Sequence, residues 1–523
     1  MQQEKTFGER VSNGCQWLIA LAAFLAFAFF AIVGLFSTCH VDIGFSAGNS
    51  EHVSFLNDNV LLNLAVLVIL AAIGVFLMRR RIKRTTVAWA GAAILLAYTA
   101  LGIWWVTVSK SIPSWDSGYL YDTARQFVNG NDHYLSEIDY FYIYPFQTGG
   151  LFYSELLMRL LNTDQVLTLQ IANVLLATAG SVAMLFLARV LFDDPRVELL
   201  TAILLGLCVQ PVLTSTFLYG SVPGMAFALW SILFTALALK RGAFPWLIPA
   251  AVCVAIATTV KLNFTIVFIA EGIVLVLYAL RAKRWPFILG AALVVSLSLL
   301  MPLGVRKQYE ARAETNLGEG TPQIAWLVTG LRDSMMCAGW YNGYTDKVLA
   351  KNDFDYEKTL AQCRADAQER IGIFASRPIY LASFFYHKLV SQWNEPAYES
   401  IWISASGAHS GEVSEAIQSF GTGSADEAAT QYFNQLMQFV YLLAGIAFYT
   451  FMVRRDERDE ARMLIPLILI GAVLYHALFE AKSQYAVLYV PMMAPYAAFG
   501  LKKFGEIKLF SRLRKKMDGE KMK

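Results

Sequence analysis

Two short segments of this chain carry residue types that could do chemistry together. One is the loop Ser114-Trp115-Asp116-Ser117-Gly118-Tyr119-Leu120-Tyr121-Asp122, and the other is the turn Glu480-Ala481-Lys482-Ser483-Gln484-Tyr485. The loop supplies carboxylates, and one of them could take a proton from a hydroxyl. The turn supplies a cation, which could neutralise a departing phosphate. Asp116 follows Pro113 and precedes an expected helix over 117–128, closed by Asn129-Gly130-Asn131-Asp132. It reads as a helix N-cap or as a general base, and the two roles are compatible because a capping carboxylate is held in place. Asp122 reads as an auxiliary carboxylate or as the i,i+3 partner of Arg125.

The second signal is Lys261. The stretch Thr258-Thr259-Val260-Lys261-Leu262-Asn263-Phe264 divides a long apolar run, and a charge inside such a run is costly. Lys261 is either a snorkelling side chain or a ligand for phosphate. Lys482 is a second phosphate candidate, unless it only pairs with Glu480. Arg306 is a third, unless it only anchors the span before it. Tyr121, Trp340, Tyr341, Glu395, His476, Glu480 and Tyr485 are the candidate contacts to a substrate. The tyrosines crowding 119–144 suit a membrane interface as well as they suit stacking on a sugar.

These residues need a membrane scaffold to bring them together. Apolar residues make up 56% of the 523 and charged ones 16%. Runs near the ~20 residues that cross a bilayer recur along the chain. They predict about 12 helical spans, at 17–36, 60–78, 87–108, 166–191, 197–213, 222–239, 246–260, 264–280, 286–304, 435–453, 463–479 and 485–501. Helices are expected because backbone groups in lipid must pair within their own segment. The fold class is therefore an all-α integral membrane protein, a multi-span bundle with outer-face loops.

Arg79 to Arg84, Lys240-Arg241, Arg281 to Arg284, Arg454 to Arg462 and the tail from Lys502 all fall on one side of this topology. Positive residues stay cytoplasmic, so both termini are expected inside and the chemistry outside. Segments 1–86 read as two accessory helices, with the first a retained anchor rather than a signal peptide. Residues 87–304 read as the core, with an outer loop at 109–164. Residues 305–434 read as an outer helical subdomain, 435–501 as the last spans and 502–523 as a basic tail. The subdomain includes an amphipathic helix over 356–371 with Leu360, Cys363, Ala367 and Ile371 on one face. The segment 407–429 is expected to be mobile. Cys337 and Cys363 are either paired or free. No Cys/His spacing indicates zinc, and no nucleic-acid signature is present.

The acidic residue in the first outer loop of the core, the Trp340-Tyr341-Asn342-Gly343-Tyr344 segment and the Phe479-to-Tyr485 turn before the last span together resemble the GT-C superfamily. The chain is most similar in these motifs to bacterial family 39-like membrane glycosyltransferases, kin to protein O-mannosyltransferases and the aminoarabinose transferase. Ser391-Gln392-Trp393-Asn394-Glu395-Pro396 resembles a segment of Gram-positive members. The resemblance covers roughly 87–500. It implies an inverting transfer of a sugar from a polyprenyl-phosphate donor to an extracytoplasmic glycan or other acceptor, at the cell membrane. Asp116 would be the base, and Lys261, Lys482 and Arg306 would face the phosphate. Asp116 is followed by Ser where relatives often carry a second acidic residue. A divalent cation is therefore left open, and no cofactor is expected. An outer polysaccharide polymerase or ligase and a 12-span transporter are the rival readings.

Overall fold

The computed structural model describes residues 6–42, 51–406, 413–422 and 424–506. Ten of its helices are long and apolar enough to cross a membrane: Phe7–Phe36, Val60–Met78, Arg84–Ser109, Val166–Phe192, Pro195–Thr216, Ser221–Arg241, Leu262–Ala282, Pro286–Arg312, Ser424–Val453 and Glu460–Leu478. The two other expected spans are shorter. Leu247–Val260 has 14 residues because Lys261 breaks the helix in extended backbone. The last is a 3₁₀ turn, Ser483–Tyr489, leading into the 16-residue helix Val490–Gly505.

The chain is almost wholly helical, with one departure. Ser37–Val41 and Val53–Asn57 form an antiparallel hairpin, with Cys39 opposite Phe55. The first two helices are also less separate than expected. Phe7–Phe36 packs along Ser424–Val453, and Phe30 stacks on Trp393 at 5.3 Å. The hairpin is sewn to the 394–426 segment by Cys39 N–H to Asn394 O (2.9 Å) and by His40 to Asp426 (3.1 Å). Phe7–Phe36 and the hairpin therefore pack directly on the last spans and on the 394–426 segment.

The basic clusters share one end of the bundle. There Lys240 meets Asp459 at 2.7 Å, Arg281 meets Glu460 at 2.6 Å and Lys502 meets Asp194 at 3.0 Å. The loops with candidate chemistry share the other end. Residues 313–423 there include Ile324–Gly330, Tyr344–Lys351, Tyr356–Ser376, Pro378–Trp393, Ser400–Ser406 and Glu415–Thr422. In Tyr356–Ser376 the buried face is Thr359, Cys363, Ala367 and Phe374, which keeps the centre of the expected stripe and corrects its ends: Leu360 is half-buried and Ile371 is exposed. Part of 407–429 is helical, since Glu415–Thr422 is a helix and Ser424 begins the next one; residues 407–412 and 423 lie outside the described residues. Cys337 and Cys363 are free thiols, each with a different neighbourhood.

One buried ion cluster fixes the helix that carries Asp116. Trp115–Val128 buries Leu120, Ala124 and Phe127 against Thr148–Leu161 and Tyr309. Beneath that contact Glu155 accepts from both Arg312 nitrogens at 3.0 Å, from Arg159 at 2.8 Å and from the Tyr309 hydroxyl. Arg312 also holds Asp132 just past the helix. Removing one partner of a buried ion pair leaves the other charges uncompensated, at about 3–5 kcal/mol. Glu155→Ala is therefore expected to lower the thermal midpoint of the detergent-purified protein sharply, and Glu155→Gln, which keeps an acceptor, to lower it less. Equal midpoints for wild type and Glu155→Ala would show that the cluster does not hold this helix.

Candidate active site

The two chemistry-bearing segments meet across one cavity of about 810 Å³ at the end of the bundle opposite the basic clusters. Of the sequence candidates, Asp116, Tyr341, Glu480, Lys482 and Tyr485 line it, with Tyr119, Tyr140 and Tyr144 of the tyrosine-rich loop, and so do residues that sequence reading missed: Glu51, Trp326, Asp346 and Tyr219.

Asp116 is the second residue of its helix, and Ser114 is the N-cap. The Ser114 amide donates to Ser117 Oγ at 3.2 Å and Gly118 N–H returns to Ser114 O. This corrects the capping role given to Asp116 and frees its carboxylate for the cavity. Trp115 enters the helix at φ 50°, a left-handed conformation that costs a non-glycine residue roughly 1–2 kcal/mol. Its ring stacks on Trp402 at 6.0 Å. The strain lies beside the candidate base, where such strain is commonly stored.

The Tyr219 hydroxyl neighbours Asp116 and favours its charged form. Gln147 Nε2 donates to the same hydroxyl at 2.5 Å, and the Lys261 ammonium lies 3.4 Å from the Tyr219 ring centroid. A cation on the ring face makes the phenol a better donor. Gly220 permits this arrangement. At φ +79° it turns the chain so closely past Val260 that an added Cβ would lie 2.6 Å from the Val260 carbonyl. Burial pushes the Asp116 carboxyl above the ordinary carboxylate range, against the pull of Lys261, Tyr219 and Lys482, and nearby Asp346 pushes it the same way.

Asp346 is the second carboxylate at this site. It accepts from the hydroxyls of both Tyr144 and Tyr341. Its only sequence signal was its place two residues past the Trp340–Tyr344 segment. Asp122 has no such position. It lies off the cavity, and Arg125 pairs with Asp164 at 2.8 Å instead of with Asp122. Tyr121 likewise turns away and donates to Asp164 O at 2.8 Å.

Lys482 is buried against Glu51, with both carboxylate oxygens 2.6 Å from its ammonium. It does not pair with Glu480, whose Oε1 accepts from the Tyr485 hydroxyl at 2.8 Å. Burial works against the charged lysine, but Glu51, Glu399 and Glu480 outweigh it and hold the ammonium charged. Burial raises the carboxyls of Glu480 and Glu399, and the Glu51 charge raises Glu399 further. Glu399 reaches the turn directly, accepting from Ser483 Oγ at 2.8 Å and from Gln484 N–H at 3.2 Å.

The remaining candidates brace the site without lining it. Glu395 is buried and caps its own turn, accepting from Ala397 N–H and, at 2.7 Å, from Glu399 N–H. Trp340 donates from its indole to Ser391 Oγ at 2.9 Å, fully buried. His476 is fully buried with its ring stacked 5.4 Å from Tyr485. Arg306 pairs with Glu310 at 3.0 Å and holds Gly318 O, away from the cavity. Among the described residues no three His, Cys, Asp or Glu side chains gather to hold a metal ion.

Lys388 is a further brace that the sequence did not single out. Fully buried, it donates to Gly330 O at 2.5 Å and to Phe479 O at 2.7 Å. These are the C-terminal ends of Ile324–Gly330 and Glu460–Leu478, so one cation serves two helix ends at once. Ala481 N–H bonds Gly339 O at 2.9 Å beside it. Each carbonyl orphaned in Lys388→Met costs about 1–3 kcal/mol. That variant is expected to raise amide hydrogen exchange over 480–485 more than in the helix Phe7–Phe36. Unchanged protection at 480–485 would show that the turn is held without Lys388. No protein-family model matches the chain, and a search of curated proteins returns no match, so this cavity is what a functional reading has to work from.

Proposed function

We propose that the chain is a membrane glycosyltransferase that moves a sugar from a polyprenyl-phosphate donor to an extracytoplasmic acceptor, with inversion. The observation that carries this reading is a carboxylate, Asp116, lining one cavity with the Lys482 ammonium, while Lys261 is buried against the ring of the lining Tyr219. The acceptor hydroxyl attacks the anomeric carbon of the donor. The bond from that carbon to the phosphate oxygen breaks, and its electron pair leaves with the phosphate. Asp116 takes the hydroxyl proton. A lipid phosphate is already a good leaving group, so fixed cations serve it better than a general acid. Lys482, held charged by its carboxylate neighbours, fills that role, and Lys261, whose pKa burial pulls down to about 7, joins it when protonated. The ring oxygen shares the positive charge that builds up at the anomeric carbon, as in other glycosyl transfers.

The base test separates chemistry from folding. Asp116→Asn keeps the shape and leaves the Ser114 cap untouched. Turnover is expected to fall roughly 10²-fold or more, with donor binding and thermal midpoint retained. Near-normal turnover would remove Asp116 from the reaction. The pH dependence carries a sign. The protonated acid is inactive, and burial raises its pKa. The wild-type kcat/KM should therefore climb with pH through a limb lying above the usual aspartate range. That limb should vanish in Asp116→Asn.

Lys482 meets the donor only in exchange for Glu51. Glu51→Gln removes a competing anion, and a hydrogen bond to a charged group contributes about 1.5–3 kcal/mol. Binding of polyprenyl phosphate is expected to tighten by roughly tenfold. Lys261→Ala is expected to weaken it. Looser binding in Glu51→Gln would mean that Glu51 orients Lys482 rather than competing for it. Sidedness is tested separately: cysteine at Ser114 should react with an impermeant thiol reagent on intact cells, and cysteine at Arg81 should not. Labelling at Arg81 would invert the topology.

A further inference from the structure

At the basic end of the bundle every carboxylate in one cleft is already neutralised, and three arginines are left over. The cleft encloses about 990 Å³ between the ends of Val60–Met78, Pro195–Leu207 and Val490–Gly505. Its carboxylates are Asp193, Asp194 and Glu506. Asp194 holds Arg196 at 2.7 Å and Lys502 at 3.0 Å. Asp193 is taken by Arg84, and Glu506 pairs with Lys503 at 3.1 Å. Arg79, Arg80 and Arg81 line the same cleft, are exposed, and have no carboxylate within 4.0 Å among the described residues. The Arg80 guanidinium rests on the Phe76 ring at 4.5 Å, a contact that uses its face and none of its N–H donors.

The helix that leads into these arginines carries an open apolar surface. Leu61, Val68, Ile69, Ile73 and Phe76 of Val60–Met78 are 80%, 67%, 57%, 52% and 54% exposed. A soluble anion has no use for that wall. A phospholipid matches both features, with acyl chains along the helix and a phosphate among guanidiniums at its end. We propose that this cleft binds the anionic phosphate headgroup of a membrane phospholipid, its chains lying on the exposed face of Val60–Met78. The inference depends neither on the reaction proposed above nor on which leaflet the cleft faces.

The test uses the full chain, purified in detergent, stripped of lipid and titrated with phosphatidylglycerol or with phosphatidylcholine of the same chains. Bound lipid is counted by native mass spectrometry. Wild type should prefer phosphatidylglycerol. Each basic group near an anionic lipid surface contributes about fivefold, so Arg79→Gln/Arg80→Gln/Arg81→Gln should lose roughly a hundredfold in affinity. Its thermal midpoint in lipid-free detergent should match wild type, which separates lost binding from lost folding. A control removes three exposed basic residues from the same end that line no part of the cleft: Arg241→Gln/Lys283→Gln/Arg454→Gln. It should bind as wild type does. Glycerol phosphate should not displace the lipid. The proposal is overturned if the triple arginine variant keeps the lipid, if the control loses it equally, or if glycerol phosphate competes, since the last would make the site one for a soluble anion.

Discussion

The contact between Lys482 and Glu51 sets the terms for everything around the cavity. An ammonium taken out of water needs compensation close by, and one removed carboxylate would leave it uncovered at several kcal/mol. Glu51 supplies that compensation from a hairpin more than 400 residues away in sequence. For it to arrive, the hairpin must be pinned, and the bonds from Cys39 to Asn394 and from His40 to Asp426 pin it. Asn394 in turn belongs to the segment whose Glu395 and Glu399 lock the turn from behind. Tyr398 and Glu399 both sit at positive φ, 50° and 54°. Two successive strained residues persist only where the surroundings overdetermine them, and here the Glu395 carboxylate and the Ser483 turn do so.

Asp116 faces a different constraint. A base must be held and kept dry, yet its proton must be exchangeable. Glu155 and Arg312 hold its helix from outside the cavity, so the supporting charges never touch the reacting carboxylate. Lys261 and Tyr219 both draw the carboxyl down, and the Lys261 ammonium lies on the Tyr219 ring rather than in an ion pair with Asp116. A direct ion pair would pull the carboxyl toward the acidic range and make it a weaker base. The aromatic spacer keeps the lysine's charge near while leaving burial as the dominant influence.

How much of this was legible follows from range. Helices in lipid announce themselves through local composition, so the ten long spans and the common side of the basic clusters were readable. So was the convergence of Asp116 with the Glu480–Tyr485 turn, because both stand at the same ends of their spans. The misses are contacts at long range or choices within one turn. Nothing near Glu51 signals a cavity residue, and its partner lies at the far end of the chain. Asp122 fits the i,i+3 rule with Arg125, but Asp164 wins because the following helix brings it to 2.8 Å. Asp116 and Ser114 both suit an N-cap, and two residues of register decided between them. Glu395 and Trp340 stood out in the sequence as motif residues, yet they brace the site from behind, because a motif records residue types without saying at which distance they act.

The charge of the cavity adds a last constraint on the proposed reaction. Glu51, Asp116, Glu137, Asp139, Asp346 and Glu480 all line it, against Lys482 alone among the lining cations and Lys261 behind Tyr219. Such a lining repels a phosphate nearly everywhere. It is tolerated only beside the lysines, and only after Glu51 yields its place. In the proposed reaction the donor would be oriented by repulsion as much as by attraction, phosphate toward Lys482 and Lys261, and sugar toward Asp116. The wall of Tyr144, Phe146 and Trp326, whose rings pack within 6.0 Å of one another, carries Asp346 at its edge. A hydroxyl-rich acceptor suits that wall, since carboxylates accept its hydrogen bonds and rings cover its apolar faces. The same acidity that excludes a misplaced phosphate therefore favours the neutral partner, and one electrostatic field sorts the two substrates to opposite sides of the bond that must form.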